Sequence, residues 1–271
     1  MDDKLIAFKE AQKKSWGVFV PLEVVTAFAA PSLVKFSGIQ RGQTVLDVGC
    51  GTGVVAITAA RLGVRTYGLD LTPELIQRAR ENATIAKVEV DFKEGDVESI
   101  PYPDNMFDAV LSQYGHMFAP RPKVAIQEML RVLKPGGIIA FSTWPPDFYV
   151  GRLFNLVAKY LPPPEGISPP SLWGEPNFIR QQLGEQVENL LFDLGVMYFP
   201  ALSTGHYRQT LEKTLGPVVK LVQDCKEDPK RLQQFRTELE MLAMQYWRDN
   251  YIQQHFLMSR AVKKPTRVPQ L

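Results

Sequence analysis

Between positions 45 and 53 the chain reads Val45-Leu46-Asp47-Val48-Gly49-Cys50-Gly51-Thr52-Gly53. A short apolar run closed by alternate glycines predicts a buried strand, a tight loop and a following helix. The glycines let the backbone approach a ligand closely, and the helix N-terminus behind them offers free N–H groups. Two phosphate-binding patterns do not fit. The dinucleotide fingerprint Gly-x-Gly-x-x-Gly needs its third glycine where the chain has Val54. A phosphate P-loop needs a Gly-Lys-Ser/Thr that does not follow. Asp47, two residues before the first glycine, repels a pyrophosphate. It suits a ligand carrying an ammonium group.

Around this loop the sequence alternates. Apolar runs at Thr44–Val48, Arg65–Leu69, Val88–Phe92, Phe107–Ser112 and Ile138–Thr143 predict five strands. Helices are expected over 52–62, over 73–87 and from Pro122, the last stopped by Pro135-Gly136-Gly137. Strands alternating with helices of this size predict an α/β fold, a doubly wound and mostly parallel sheet covered on both faces. The first 40 residues read as a helical segment over the site, and 41–144 as the ligand-binding core. Residues 145–262 read as cap insertions plus two final strands at Val187–Tyr198 and Phe256–Val262, with helices over 204–226 and 229–250. Residues 263–271 are expected to be a frayed tail.

Five segments in order resemble the signatures of class I, Rossmann-like, S-adenosylmethionine-dependent methyltransferases. Val45–Gly53 resembles the first. Tyr67-Gly68-Leu69-Asp70 resembles the end of the second strand, and Glu94-Gly95-Asp96-Val97-Glu98 the turn after the third. Met106–Ser112 with Gln113-Tyr114-Gly115-His116 resembles the end of the fourth. Leu130–Gly137 resembles the signature before the fifth. The likeness spans roughly residues 41–144. It implies a seven-stranded sheet whose last strand is antiparallel, with a helical cap. More loosely, the chain is similar to the small-molecule methyltransferases of ubiquinone and menaquinone synthesis.

The resemblance also implies roles. S-adenosyl-L-methionine would be held by Asp47, Gly49, Cys50, Gly51, Gly53, Asp70, Leu71, Asp96, Val97, Ser112 and Gln113. Asp70 would grip the ribose hydroxyls, and Asp96 would accept from the adenine amino group. Methyl transfer mainly needs alignment and a dry site, and a base only for a protonated nucleophile. His116 is the candidate base and Tyr114 a candidate for holding the substrate. Trp16 reads as a core residue, with a cover over the active site as the alternative, while His206 and His255 read as ordinary surface or helix positions. The aromatic-rich cap (Phe148, Tyr149, Phe154, Trp173, Phe178, Tyr198, Phe199, Tyr207) suggests an apolar or aromatic small-molecule acceptor. A catalytically silent cofactor-binding module is the competing reading.

Composition narrows the partners. Net charge is +2, and the densest basic clusters, Lys13-Lys14 and Lys263-Lys264, lie near the ends. No nucleic-acid partner is therefore expected. Ser112-Gln113-Tyr114-Gly115 also departs from the Asn/Asp-Pro-Pro-Tyr/Phe of amino-directed nucleic-acid methyltransferases. Two cysteines and three histidines give no metal-ligand spacing, so no metal is expected. With a charged start and no apolar run near the ~20 residues of a membrane span, a cytoplasmic protein is expected.

Overall fold

The structure is a computed structural model and describes residues 3–265. Helix α1 (Asp3–Trp16) runs through a 3-10 stretch (Gly17–Leu22) into α2 (Glu23–Ser37). The core follows as β1 (Thr44–Val48), α3 (Val54–Ala60), β2 (Arg65–Asp70), α4 (Pro73–Ala86), β3 (Val90–Glu94), β4 (Phe107–Gln113), α5 (Pro122–Val132) and β5 (Leu133–Thr143). Next come α6 (Tyr149–Tyr160), α7 (Pro176–Leu183) and β6 (Val187–Pro200). The chain ends with α8 (Thr204–Thr214), α9 (Gly216–Asp224), α10 (Pro229–Tyr246), the two-residue β7 (Trp247–Arg248) and β8 (Tyr251–Lys263).

The strands lie in the order β3-β2-β1-β4-β5-β8-β6, with β7 paired only to β8. Strands β1 to β5 pair in parallel, and β8 runs antiparallel to both β5 and β6. This is the expected mostly parallel sheet of seven strands, with the tiny β7 added. Helices cover both faces because strands of near-continuous apolar burial need cover on each side. Leu33 and Val34 of α2 and Val55 of α3 pack with Val45, Leu111 and Ala140 on one face. Ile126, Met129 and Leu130 of α5 pack with Leu46, Val110 and Phe141 on the other. Strand order reverses between β1 and β4. The crevice outside their carboxyl ends is where open α/β sheets bind ligands.

Several local expectations are corrected. Pro135-Gly136-Gly137 does not lie between helix and strand. Helix α5 ends at Val132, and β5 already begins at Leu133 with an irregular register against β4. Lys134, inside β5, pairs with Asp108 at 2.6 Å. The proline-rich segment after Trp144 contains helix α6, whose apolar residues Val150, Leu153 and Val157 turn inward. Helix α10 stops at Tyr246, and β8 starts at Tyr251, earlier than expected. The supposed tail is ordered at its start. Lys263 donates to Leu133 O at 2.6 Å, and the Lys264 amide donates to Gln186 O. The rest of the expected tail, 266–271, lies outside the described residues.

Within Leu5–Ser37 an 18-residue window reaches a mean hydropathy of 1.7, so this helical run is by length and composition apolar enough to cross a membrane. Charged residues, among them Lys13, Lys14 and Glu23, interrupt the run. In the fold its second half is sheet cover: Ala29, Ala30 and Leu33 are buried, and Glu23 is held by Arg78 at 2.5 Å.

Candidate functional site

Two loops meet at the switch point because neither carries a side chain where they touch. A Cβ on Gly49 would lie 2.7 Å from Gly115 Cα, and one on Gly115 would lie 2.5 Å from Gly49 O. This contact fixes the β1–α3 loop against the segment after β4. Closing it forces Tyr114 into the left-handed region at φ 61, a strained conformation for a non-glycine residue. Gly51 differs: at φ 54 it faces open space, with nothing within 4 Å of a built Cβ.

Three carboxylates head the crevice. Asp47 Oδ2 accepts from the Ala56 amide at 3.0 Å, and its Oδ1 is buried with no partner among the described residues. Desolvation pushes its carboxyl well above the usual range, helped by the nearby charge of Asp70. Asp70, at the end of β2, accepts from the Gly51 amide at 2.8 Å and the Thr72 amide at 2.9 Å. Burial raises its pKa against those two bonds. Thr72, though the N-cap of α4, makes no side-chain cap of its own. Asp96 accepts from the Glu98 amide at 2.8 Å and from Lys9 of α1 at 2.5 Å. Lys9 also bonds Glu98 at 2.6 Å, and Glu98 pairs with Arg121. A fourth acceptor, Gln113 Oε1, is buried without a partner among the described residues, while its Nε2 donates to Thr26 O.

One cavity joins these groups to the cap. Asp47, Gly49, Cys50, Gly51, Asp70 and Leu71 line it, as do Asp96, Val97, Gln113 and Tyr114. Cys50 lines it next to Gly51, but its thiol is buried, and desolvation and the neighbouring carboxylates push its pKa well up. Two expected members lie elsewhere. Gly53 backs onto Phe92 and Ala79 behind the loop. Ser112 is fully buried, bonding Val48 O at 2.6 Å and accepting from the His116 amide at 3.1 Å, so it staples the two loops together.

His116, the candidate base, lines the cavity. Its side chain is fully buried, between Phe141 at 4.6 Å and Trp173 at 4.7 Å. Neither ring nitrogen has a partner among the described residues, and desolvation lowers its pKa to about 3. Tyr114 stacks on Trp144 at 3.9 Å, its hydroxyl meets Met197 Sδ at 3.7 Å, and burial pushes its phenol well up.

The far end of the cavity lies under the cap. Of the aromatic candidates, Phe154, Phe199 and Tyr207 line it. Tyr149 and Trp173 are fully buried core residues, and Phe178 packs against that core. Phe148 stacks on His255, which sits in β8 rather than on a helix, and Tyr198 is exposed on β6. His206 lies in the first turn of α8, where its Nδ1 accepts from the Leu202 amide. Trp16 is no mere core residue: it lines the cavity and packs on Phe118 at 4.6 Å. Lys9, Trp144, Met197 and Gln254 also line it without having been singled out. Of these, Gln254 could have been found, as a polar residue on the inward face of an apolar strand.

Residues 46–141 match a family model described as a methyltransferase domain. The chain is 31% identical over 244 residues to Rv1405c, an uncharacterized protein of Mycobacterium tuberculosis, with 89% of each covered. It is 34% identical over 149 residues to the ubiquinone biosynthesis O-methyltransferase of Klebsiella pneumoniae, covering 53% of this chain and 61% of that one. Among solved structures, the YcgJ protein of Bacillus subtilis shares the fold. Its TM-score is 0.59 at 20% identity, over 88% of this chain and 99% of that one.

Proposed function

The chain belongs to the class I methyltransferase family, and from that premise we propose that it transfers a methyl group from S-adenosylmethionine to an apolar or aromatic small molecule. The observation that carries this reading is the single cavity, with bare buried acceptors at the loop and an apolar chamber under the cap. An open chamber beside the loop favours an enzyme over a silent binding module.

The residues present fit the cofactor. Asp47 Oδ1 and Gln113 Oε1, both buried without partners among the described residues, are acceptors suited to its ammonium group. The space in front of Gly51 admits ligand atoms where a side chain would stand. Asp70 would take the ribose hydroxyls, and Asp96 with Val97 the adenine edge. Bound there, the sulfonium supplies a methyl group on a good leaving group. The protein's part is to align the acceptor and keep water out. Trp16, Phe154 and Trp144 enclose the chamber for that purpose. With its pKa lowered to about 3, His116 is a weak base, and burial keeps Tyr114 a neutral phenol.

The test is incubation with S-adenosylmethionine labelled in its methyl group, together with a fractionated small-molecule extract and added RNA. Label is expected in solvent-extractable small molecules. Transfer to RNA alone, or no transfer while the cofactor binds, would overturn the reading.

A further inference from the structure

The cavity changes character along its length. Its charged lining side chains, Lys9, Asp47, Asp70 and Asp96, all belong to the cofactor end. On the side of β5, β8 and β6 the wall is apolar, with Trp144, Met197, Phe199 and Leu211. One polar pair interrupts it. Gln254, on β8, donates from Nε2 to the Tyr207 hydroxyl of α8 at 3.1 Å. Both line the cavity, and Gln254 is 4% exposed and Tyr207 1%.

Alternation along β8 makes Gln254 anomalous. Ile252, Gln254 and Phe256 share the buried face, where an apolar side chain would complete the pattern. The position sits opposite Met197 on β6, and Met197 in turn touches the Tyr114 hydroxyl. A Gln amide carries two N–H donors and an acceptor oxygen, and a Tyr hydroxyl both donates and accepts. The bond between them leaves the Gln254 oxygen, and donor capacity on both groups, to be met from the cavity. Behind them the buried Tyr149 hydroxyl bears on that of Tyr207, its ring 5.7 Å away. Unmet polar groups in an apolar wall are costly, so a wall meant only for hydrocarbon would not hold them.

We propose that Gln254 and Tyr207 recognise a neutral oxygen, a carbonyl or a hydroxyl, on the otherwise apolar acceptor, and so set acceptor specificity. This rests on the methyl-transfer reading. A pocket built to bond a substrate oxygen rejects the analogue that lacks it far more strongly than a hydrophobic pocket rejects a change of size.

The probes are 2-naphthol and naphthalene, measured by equilibrium dialysis with S-adenosylhomocysteine at saturation. The wild-type protein is expected to bind the naphthol about tenfold more tightly. In Gln254→Leu and Tyr207→Phe that ratio should fall to about one, while naphthalene and S-adenosylhomocysteine bind as before, which also shows that the variants are folded. No preference in the wild type, or a preference that survives both substitutions, would overturn the proposal. If S-adenosylhomocysteine does not bind, the cofactor reading fails separately, and the naphthol ratio measured without it still tests the pair.

Discussion

Asp47 keeps one carboxylate oxygen on the Ala56 amide and leaves the other bare inside the cavity. With its pKa raised by burial, it holds a proton to higher pH than an ordinary carboxyl. An ammonium ligand needs the charged form, so below the raised pKa binding must release that proton. Affinity for S-adenosylhomocysteine should therefore fall as pH drops below the raised value. Calorimetric heats should also differ between phosphate and Tris buffers, and Asp47→Asn should remove that difference. His116 has the opposite shift. Its folded pKa of about 3 lies below the ordinary 6.5, so the unfolded chain binds a proton that the folded chain refuses. This contribution to stability is present above pH 6.5 and lost as pH falls toward 3, at about 1.4 kcal/mol per pH unit. His116→Phe should flatten the acid limb of denaturant-derived stability by that slope, and an unchanged limb would place the imidazole in water. Gly51→Val should block cofactor binding and cost about 1–2 kcal/mol of stability, because a φ of 54 strains a side chain there; titration read alongside denaturant unfolding separates the two effects. The Gly51 position has open space in front of it and a backbone that side chains rarely adopt. Asp47, Asp70 and Gly51 were legible in the sequence because strand alternation and loop spacing fix where they point. Ser112, Gly53 and His116 were not, because their direction depends on how two loops far apart in sequence press together at Gly49 and Gly115.

Helix α1 is tied to the cofactor end by side chains rather than by backbone. Lys9 reaches Asp96 and Glu98, Lys13 reaches Glu94, and Gln12 donates to Phe118 O. The ion pair at Lys9 is buried, so removing one partner strands charge on the other. Lys9→Met is expected to destabilise the protein by about 2 kcal/mol, partly offset because Glu98 keeps Arg121. The melting temperature should fall by about 5 °C, and limited proteolysis should cut first within α1. A variant as stable and as resistant as the parent would show that α1 is held by its apolar face alone. The helix itself was legible from its apolar spacing. Its partners were not, since nothing in positions 9 and 96 announces that they meet. The misread at Pro135-Gly136-Gly137 has a similar cause: glycine and proline usually interrupt a strand, yet here the irregular register between β4 and β5 accommodates them. Helix α6 was hidden by the prolines on either side of it.

Across the whole molecule, one sheet edge supplies polar recognition and the cap supplies an apolar enclosure. The alternation of strands and helices made the sheet legible. The cap was legible only as aromatic richness, because which rings face a cavity depends on how α6, α8 and α10 pack together. The reversal of strand order between β1 and β4 places the loop and the chamber in one crevice, and the functional account depends on that placement. The most direct measurement is calorimetric titration of the full chain with S-adenosylhomocysteine and, separately, with NADH. The account predicts saturable one-to-one binding of the first, lost in Gly51→Val, and no heat from the second. Binding of NADH, or of neither ligand, would contradict it.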